Sequence, residues 1–226
     1  MEDKVEYILL NGFHGNDLND FTNILNESWG SFFETTPEIF AERLNSGEFF
    51  LGAYYRKKPI GLLETISFNL KEPPAEITSD LEKARYICEQ IGKMGNYYNV
   101  TNGGKLGPRS KNSNTTLYLD LTVEKAHRGD KHDPPISDGI VDASRSFFSG
   151  IPDRYIVTYT PAFRPIMNFH LMQGAMDTKV VIKNARPNFA PKGKTEFSDV
   201  NCMCYMVPGN PGFIAPKGKT ILPKSA

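Results

Sequence analysis

Between Leu117 and Ala175 a strand, a basic turn, an amphipathic helix, a second strand and a helix carrying a histidine follow one another without a break, and few topologies accept that order. Leu117, Leu119, Leu121 and Val123 alternate with Tyr118, Asp120 and Thr122, the period of two that marks a strand. On that alternation Asp120 lies on the face opposite Leu119 and Leu121. The turn from Lys125 to His132 then carries three fixed positive charges, on Lys125, Arg128 and Lys131, and the imidazoles of His127 and His132. Pro134, Pro135 and Ser137 signal the start of a helix, so cationic side chains and unpaired N–H groups converge in a place that suits a phosphate. Ile140, Val141, Phe147 and Phe148 share one helical stripe, with Ala143 and Ser144 as small neighbours and Gly150 as C-cap, which predicts a helix over 137–149. Tyr155 to Tyr159 read as a second strand, and the connection is long enough for a right-handed parallel crossover.

The run Val123, Glu124, Lys125, Ala126, His127, Arg128, Gly129 resembles the Val, x, Pro, x, Tyr, Arg, Gly approach to the pyrophosphate turn of the GNAT superfamily of acyl-CoA-dependent N-acetyltransferases. Phe163 to Ala175 is similar to that family's Asn, x, x, Ala, x, x, Phe, Tyr, x, x, x, Gly, Phe: Phe169 and Gly174 match, and His170 falls at the place of the tyrosine. The chain departs from the pattern after Gly129, where Lys131 and Asp133 stand in place of the next two small residues and two prolines precede the helix. Side chains there would occupy space that glycine leaves for a pyrophosphate. The resemblance implies an α/β fold with a mixed, mostly antiparallel twisted sheet flanked by helices. It also implies one domain over 1–226, with an insertion at 71–114 and a Pro/Gly-rich extension at 187–226.

The remaining segments agree with that order. Val5 to Leu10 reads as the first strand, and Asp17 to Phe33 and Pro37 to Leu44 as two helices, the second capped by Thr36 and closed near Gly47. Phe49 to Tyr55 and Ile60 to Phe68 form a hairpin around Arg56, Lys57, Lys58 and Pro59. Within the insertion, Thr78 to Ile91 is helical, with Leu81, Ala84, Arg85 and Cys88 in register, and a Gly-, Asn- and Ser-rich stretch follows; such insertions serve as lids or as plain surface excursions. Val200 to Val207 reads as a strand added at the sheet edge. Ala190 to Thr195 and Ala215 to Thr220 both read Ala, Pro, Lys, Gly, Lys, Thr, but Asn188 and Phe213 occupy the places where a phosphate-binding loop needs its first glycine.

Twenty-six basic residues balance 26 acidic ones, so no global field favours nucleic acid or an anionic membrane, and a positive site has to be local. Met1 to Leu10 fits an opening strand and neither a signal peptide nor a membrane span, which leads us to expect a cytoplasmic protein. Three cysteines, with Cys202 and Cys204 two apart on one strand, read as buried thiols and not as a disulfide framework or a metal site.

Acyl transfer to an amine needs an uncharged nucleophile, a polarised thioester carbonyl and a proton for the departing thiolate. The resemblance implies acetyl-CoA as cosubstrate, with no metal, and a small-molecule or peptide amine as acceptor; it leaves a homodimer open. It places the thioester oxygen on the backbone N–H of Val123, with Leu121 and Thr122 beside it, and the pyrophosphate on Arg128, Gly129, Lys131 and the helix start at Ser137. Asp120 is the first candidate base, with Glu64 on the adjacent strand as the second; buried carboxylates of this kind also serve as plain ion-pair partners. His170 is the candidate acid, with Tyr159 as its substitute. The acceptor would enter between the first helices, the insertion and the strand of Asp120. A longer acyl donor and a non-catalytic binding role are the alternatives to acetyl transfer.

Overall fold

The computed structural model describes residues 4–10, 16–29, 35–45, 50–95, 113–148, 155–161, 164–187 and 197–205. The stretches 1–3, 11–15, 30–34, 46–49, 96–112, 149–154, 162–163, 188–196 and 206–226 lie outside the described residues, and with them Gly47, the second half of the insertion, Gly150, Phe163 and both Ala-Pro-Lys-Gly-Lys-Thr copies.

Among the described residues seven strands make one sheet: β1 (Val5–Leu9), β2 (Phe50–Tyr55), β3 (Lys58–Phe68), β4 (Thr115–Val123), β5 (Tyr155–Pro161), β6 (Ala175–Pro187) and β7 (Phe197–Tyr205). Their spatial order is β1-β2-β3-β4-β5-β7-β6, antiparallel throughout except for β4 with β5. The α-helices among the described residues are α1 (Asp17–Trp29), α2 (Pro37–Asn45), α3 (Asp80–Met94), α4 (Ile136–Phe148) and α5 (Arg164–Met172). Neighbouring residues on one strand report the two faces: Leu63 joins the cluster of Ile136, Ile140, Val141 and Phe148 from α4, whereas Leu62 packs with Phe21 of α1 and Phe40 of α2. On that second face Ile66 and Leu117 meet Ala84, Ile87, Cys88 and Ile91 of α3. The sheet therefore stands between α4 with α5 on one side and α1, α2 and α3 on the other, each apolar helix stripe covered once.

Local chemistry explains the boundaries. The hairpin turn is shorter than its basic run suggests, because Arg56 and Lys57 take positive φ of 50° and 65° and Lys58 already belongs to β3. Thr36 Oγ1 accepts from the Ile39 N–H at 3.3 Å, and Ser79 Oγ from the Glu82 N–H at 3.2 Å, capping α2 and α3. In α3 the buried stripe is Ala84, Ile87, Cys88 and Ile91, while Leu81 is exposed and Arg85 donates to the Thr178 carbonyl at 3.1 Å.

The last strand corrects an expectation. β7 is not an edge but inserts between β5 and β6, because Val200, Cys202, Met203, Cys204 and Tyr205 are all fully buried and need a cover on both faces. The edge is β6, whose pairing shifts between Asp177 and Val180 and again between Ile182 and Arg186, with positive φ at Lys179 and Asn184; irregularities of this kind blunt an edge. All three cysteines are buried free thiols, as read from the sequence. Among the described residues no helix is long and apolar enough to cross a membrane.

One close approach fixes the start of α4. A Cβ built on Gly139 would lie 1.8 Å from the Tyr7 hydroxyl oxygen and 2.2 Å from the ring carbon that bears it, so the helix and β1 touch only because the side chain is absent. Gly139→Ala should lower stability by about 1–3 kcal/mol, the usual range for overpacking, as read by the shift of the urea midpoint at unchanged slope.

Candidate active site

β4 and β5 pair only from Thr115↔Tyr155 to Tyr118↔Thr158. Beyond Tyr118, β4 stays with β3, while Tyr159, Thr160 and Pro161 stay with β7, so the two parallel strands splay and a wedge opens between them. A bulge sets the splay: Glu64 faces Asp120 but Thr65 faces Tyr118, leaving Leu119 as the extra residue. The bulge also overturns the simple alternation. Leu119 packs with Leu117 on the α3 side, Leu121 packs against the α4 cluster, and Asp120, as cross-strand partner of Glu64, shares the side of Leu119. Asp120 is thus opposite Leu121 but not opposite Leu119.

The Glu124 N–H bonds the Ile60 carbonyl at 2.8 Å, so by alternation the N–H groups of Val123 and Leu121 point away from β3 toward the wedge. A cavity of about 370 Å³ fills the mouth, lined by Asp120, Leu121, Thr122, Val123, Arg128, Gly129 and Ser137, with Ser28, His127, Ile136 and Ile166. The floor of α4 contributes donors there. Its first i to i−4 bond is Gly139 N–H to the Pro135 carbonyl, which leaves the N–H groups of Ile136, Ser137 and Asp138 without an intrahelical acceptor. Gly129 has φ +75° and nothing within 4 Å of a built Cβ, so glycine is needed for conformation and not for room.

A second cavity of about 250 Å³ shares Asp120, Leu121, Ser137 and Ile166 with the first and continues to Tyr118, Leu119, Thr158, Tyr159, Phe169 and His170. The structure therefore brings Asp120, from the strand bulge, and His170, from α5, to one continuous cleft. Tyr159 joins them; its hydroxyl is buried without a hydrogen-bond partner among the described residues, and burial pushes its pKa up. Thr122 Oγ1 is buried and unpartnered in the same sense.

Two sequence candidates lie off both cavities. Lys131 folds back, its Nζ donating to the Ala126 carbonyl at 2.8 Å, and neither it nor Asp133, Pro134 or Pro135 lines the wedge. The departures from the turn pattern thus leave the gap open. Glu64 is buried, with Arg43 of α2 3.6 Å away. Arg128 does line the mouth, with Nε on the Val123 carbonyl at 2.7 Å and one terminal nitrogen on Ser28 Oγ at 3.1 Å, so two of its five N–H donors are committed to protein. His127 and His132 stack beside the mouth and share a 2.8 Å hydrogen bond, with Tyr55 edge-on to both rings.

Burial raises the Glu64 carboxyl above the usual range despite the opposing pull of Arg43. An acid whose native pKa is raised stabilises the fold below its unfolded pKa and loses that contribution as pH rises through the native value. Glu64→Gln should therefore gain stability relative to the natural chain between pH 4 and pH 7, read from denaturant midpoints at both. Burial, helped by Asp130, likewise raises Asp138 in the first turn of α4, which weakens the negative charge next to the helix start.

The residue that sequence reasoning missed is Tyr205. Its hydroxyl lies 2.5 Å from Nδ1 of His170, both side chains being buried. They are 35 residues apart on different elements, and only the placement of β7 beside β5 reveals the pair.

No family model and no curated protein matches the chain. Solved structures do. Arabidopsis thaliana Naa50, in complex with the bisubstrate analogue CoA-Ac-MVNAL, is similar with a TM-score of 0.52 at 13% identity, over 89% of this chain and 98% of that one. The ribosomal-protein-S18-alanine N-acetyltransferase of Escherichia coli is similar with a TM-score of 0.54 at 8% identity, over 93% and 99%. The GphF GNAT-like decarboxylase in complex with isobutyryl-CoA reaches 0.56 at 12% identity, over 89% and 98%. These likenesses extend over nearly the whole of each chain, and they show that this chain has the GNAT fold.

Proposed function

We propose that this protein is an acyl-CoA-dependent N-acyltransferase that carries acetyl from acetyl-CoA directly to a primary amine, on a small molecule or a peptide. The observation that carries the reading is the open wedge, with N–H groups of Leu121 and Val123 on one wall, the start of α4 at its mouth and His170 at its inner end. In this reading the pantetheine arm lies along the free edge of β4, where its amides take the place of strand partners. The diphosphate meets the unpaired N–H groups of Ile136 and Ser137 and the free donors of Arg128. The thioester oxygen sits on the Val123 N–H, a fixed dipole aimed at developing negative charge in a site shielded from water. Asp120 takes the proton of the attacking amine, and His170 faces the departing sulfur. Two of the neighbours similar in fold are described with CoA-type ligands, Naa50 with a bisubstrate analogue and the decarboxylase with isobutyryl-CoA, which supports a CoA-based cosubstrate here.

Calorimetric titration with acetyl-CoA tests the reading. Micromolar binding is expected, weakened by about tenfold or more in Arg128→Ala, since charge-assisted bonds to phosphate contribute about 1.5–3 kcal/mol. No detectable binding at millimolar acetyl-CoA would leave a scaffold without the chemistry. A second reading, transfer of a longer acyl group, draws on the inner cavity, whose walls include Leu119, Leu121, Ile166 and Phe169. Thiol release from acyl-CoA donors of increasing length separates the two.

A further inference from the structure

We infer that Tyr205 is a positioning residue that fixes His170 in the tautomer carrying its proton on Nε2, so that a neutral imidazole donates a hydrogen bond to the leaving sulfur. This rests on the acyltransferase reading for its consequence, but not for its geometry. The Tyr205 hydroxyl lies 2.5 Å from His170 Nδ1, inside a cluster where both residues are buried. A neutral imidazole has one N–H and one lone pair, so the bond has two possible directions. The hydroxyl decides between them. His170 is its one hydrogen-bond partner among the described residues, and a buried phenol that gave its acceptor side to an Nδ1–H would have its own proton with nowhere to go. Burial also keeps that proton in place, pushing the Tyr205 pKa well above its ordinary value, with the Arg145 guanidinium 5.6 Å from the ring centre acting only partly against it. The O–H therefore donates, Nδ1 accepts, and the ring proton stands on Nε2.

The ring is held from several elements. Phe169 lies edge-on at 5.0 Å within α5, and the Tyr205 ring meets it at 5.9 Å from β7. The Tyr118 ring of β4 is tilted against Tyr205 at 5.8 Å, with its hydroxyl bonded to Ser144 Oγ of α4. Among the described residues, the ionisable groups near the His170–Tyr205 pair include Asp120 and Tyr118 of β4, Tyr159 of β5, and Arg145, Asp138 and Asp142 of α4, the last three acting on Tyr205.

The chemical consequence is specific. An acid that must be an imidazolium loses activity as pH rises through about 6.5, the ordinary value for histidine. A neutral Nε2–H donor does not, because it polarises the sulfur without giving up its proton. In the balanced step the N–C bond forms and the C–S bond breaks. The amine proton passes to Asp120 and on to solvent, and the thiolate leaves hydrogen-bonded to Nε2–H and then takes its proton from solvent.

Long-range proton–nitrogen NMR of the ¹⁵N-histidine-labelled full chain reads the tautomer directly, with the His170 signals assigned by their loss in His170→Gln. The expected result at pH 7 is a neutral ring protonated at Nε2. Tyr205→Phe, which keeps the ring packing, should give a mixture of tautomers or a rise in the imidazolium fraction. In the acetyltransferase assay it should lower kcat by about 10- to 100-fold with little change in the KM for acetyl-CoA, and add a loss of rate above pH 6.5 that the natural chain lacks. An Nδ1–H or imidazolium ring in the natural chain at pH 7 overturns the inference, as does an unchanged tautomer in Tyr205→Phe. Should the variant fail to fold, the spectrum of the natural chain alone decides. Because that spectrum needs no cosubstrate, an inactive protein with the Nε2–H tautomer would refute the acyltransferase reading and leave the geometry standing.

Discussion

His170→Phe is expected to reduce turnover by about 10²–10³-fold, the range for losing one fixed hydrogen-bond donor to developing charge, while leaving acetyl-CoA affinity within about twofold. The split follows from placement. His170 lines only the inner cavity, whereas Arg128, Gly129 and the α4 start lie at the mouth, where the cosubstrate would be anchored. The same change removes the partner of the Tyr205 hydroxyl and leaves it buried and unpaired, which should cost about 1–3 kcal/mol of stability. The double variant His170→Phe, Tyr205→Phe removes both polar groups and should recover most of that stability, but none of the turnover. Steady-state kinetics with urea denaturation of the two proteins separates the chemical role from the structural one. A double variant that regained activity would show that His170 acts only through packing.

Asp120→Asn should lower kcat/KM at pH 7 by about 10²–10³-fold, and the deficit should be pH-dependent. An alkyl amine with a pKa of about 10 is almost wholly protonated at neutral pH, so a site without a base depends on the small free-amine fraction. The rate of the variant should then climb by about tenfold per pH unit between pH 7 and 9, as that fraction does. The isosteric amide keeps the size of the side chain at a buried position opposite Glu64, so acetyl-CoA binding should be retained. A variant with a normal rate at pH 7 would transfer the base role elsewhere. Glu64 is poorly placed to inherit it, since it lies off both cavities beside Arg43.

Much of this fold is legible in the sequence because its central stretch alternates between two unlike periods. Leu117 to Val123 and Tyr155 to Tyr159 repeat every two residues, and the stripe Ile140, Val141, Phe148 repeats as a helix does, so β4, α4 and β5 appear close to their observed bounds. What the pattern does not carry is any signal of pairing. The Leu119 bulge inserts one residue without altering the run of leucines, yet it turns Asp120 to the side of Leu119. β7 has the composition of a strand of any position; only its burial on both faces places it inside the sheet, and with it Tyr205 beside His170. β6 escapes notice because Lys179 and Asn184 take positive φ and break its alternation. At the turn, sequence chemistry identifies the basic cluster but not its sorting: Arg128 and Lys131 look equivalent by charge, whereas one reaches the Val123 carbonyl in the wedge and the other folds onto Ala126.

The central claim, that the gap between β4 and β5 receives the cosubstrate, is tested most directly by following backbone amide shifts on titration with CoA. The account predicts the largest changes at Leu121 and Val123, whose N–H groups face the gap, together with Gly129, Ile136 and Ser137 at its mouth. Saturating CoA that leaves those five amides unmoved, or that shifts only residues of α3, would contradict it.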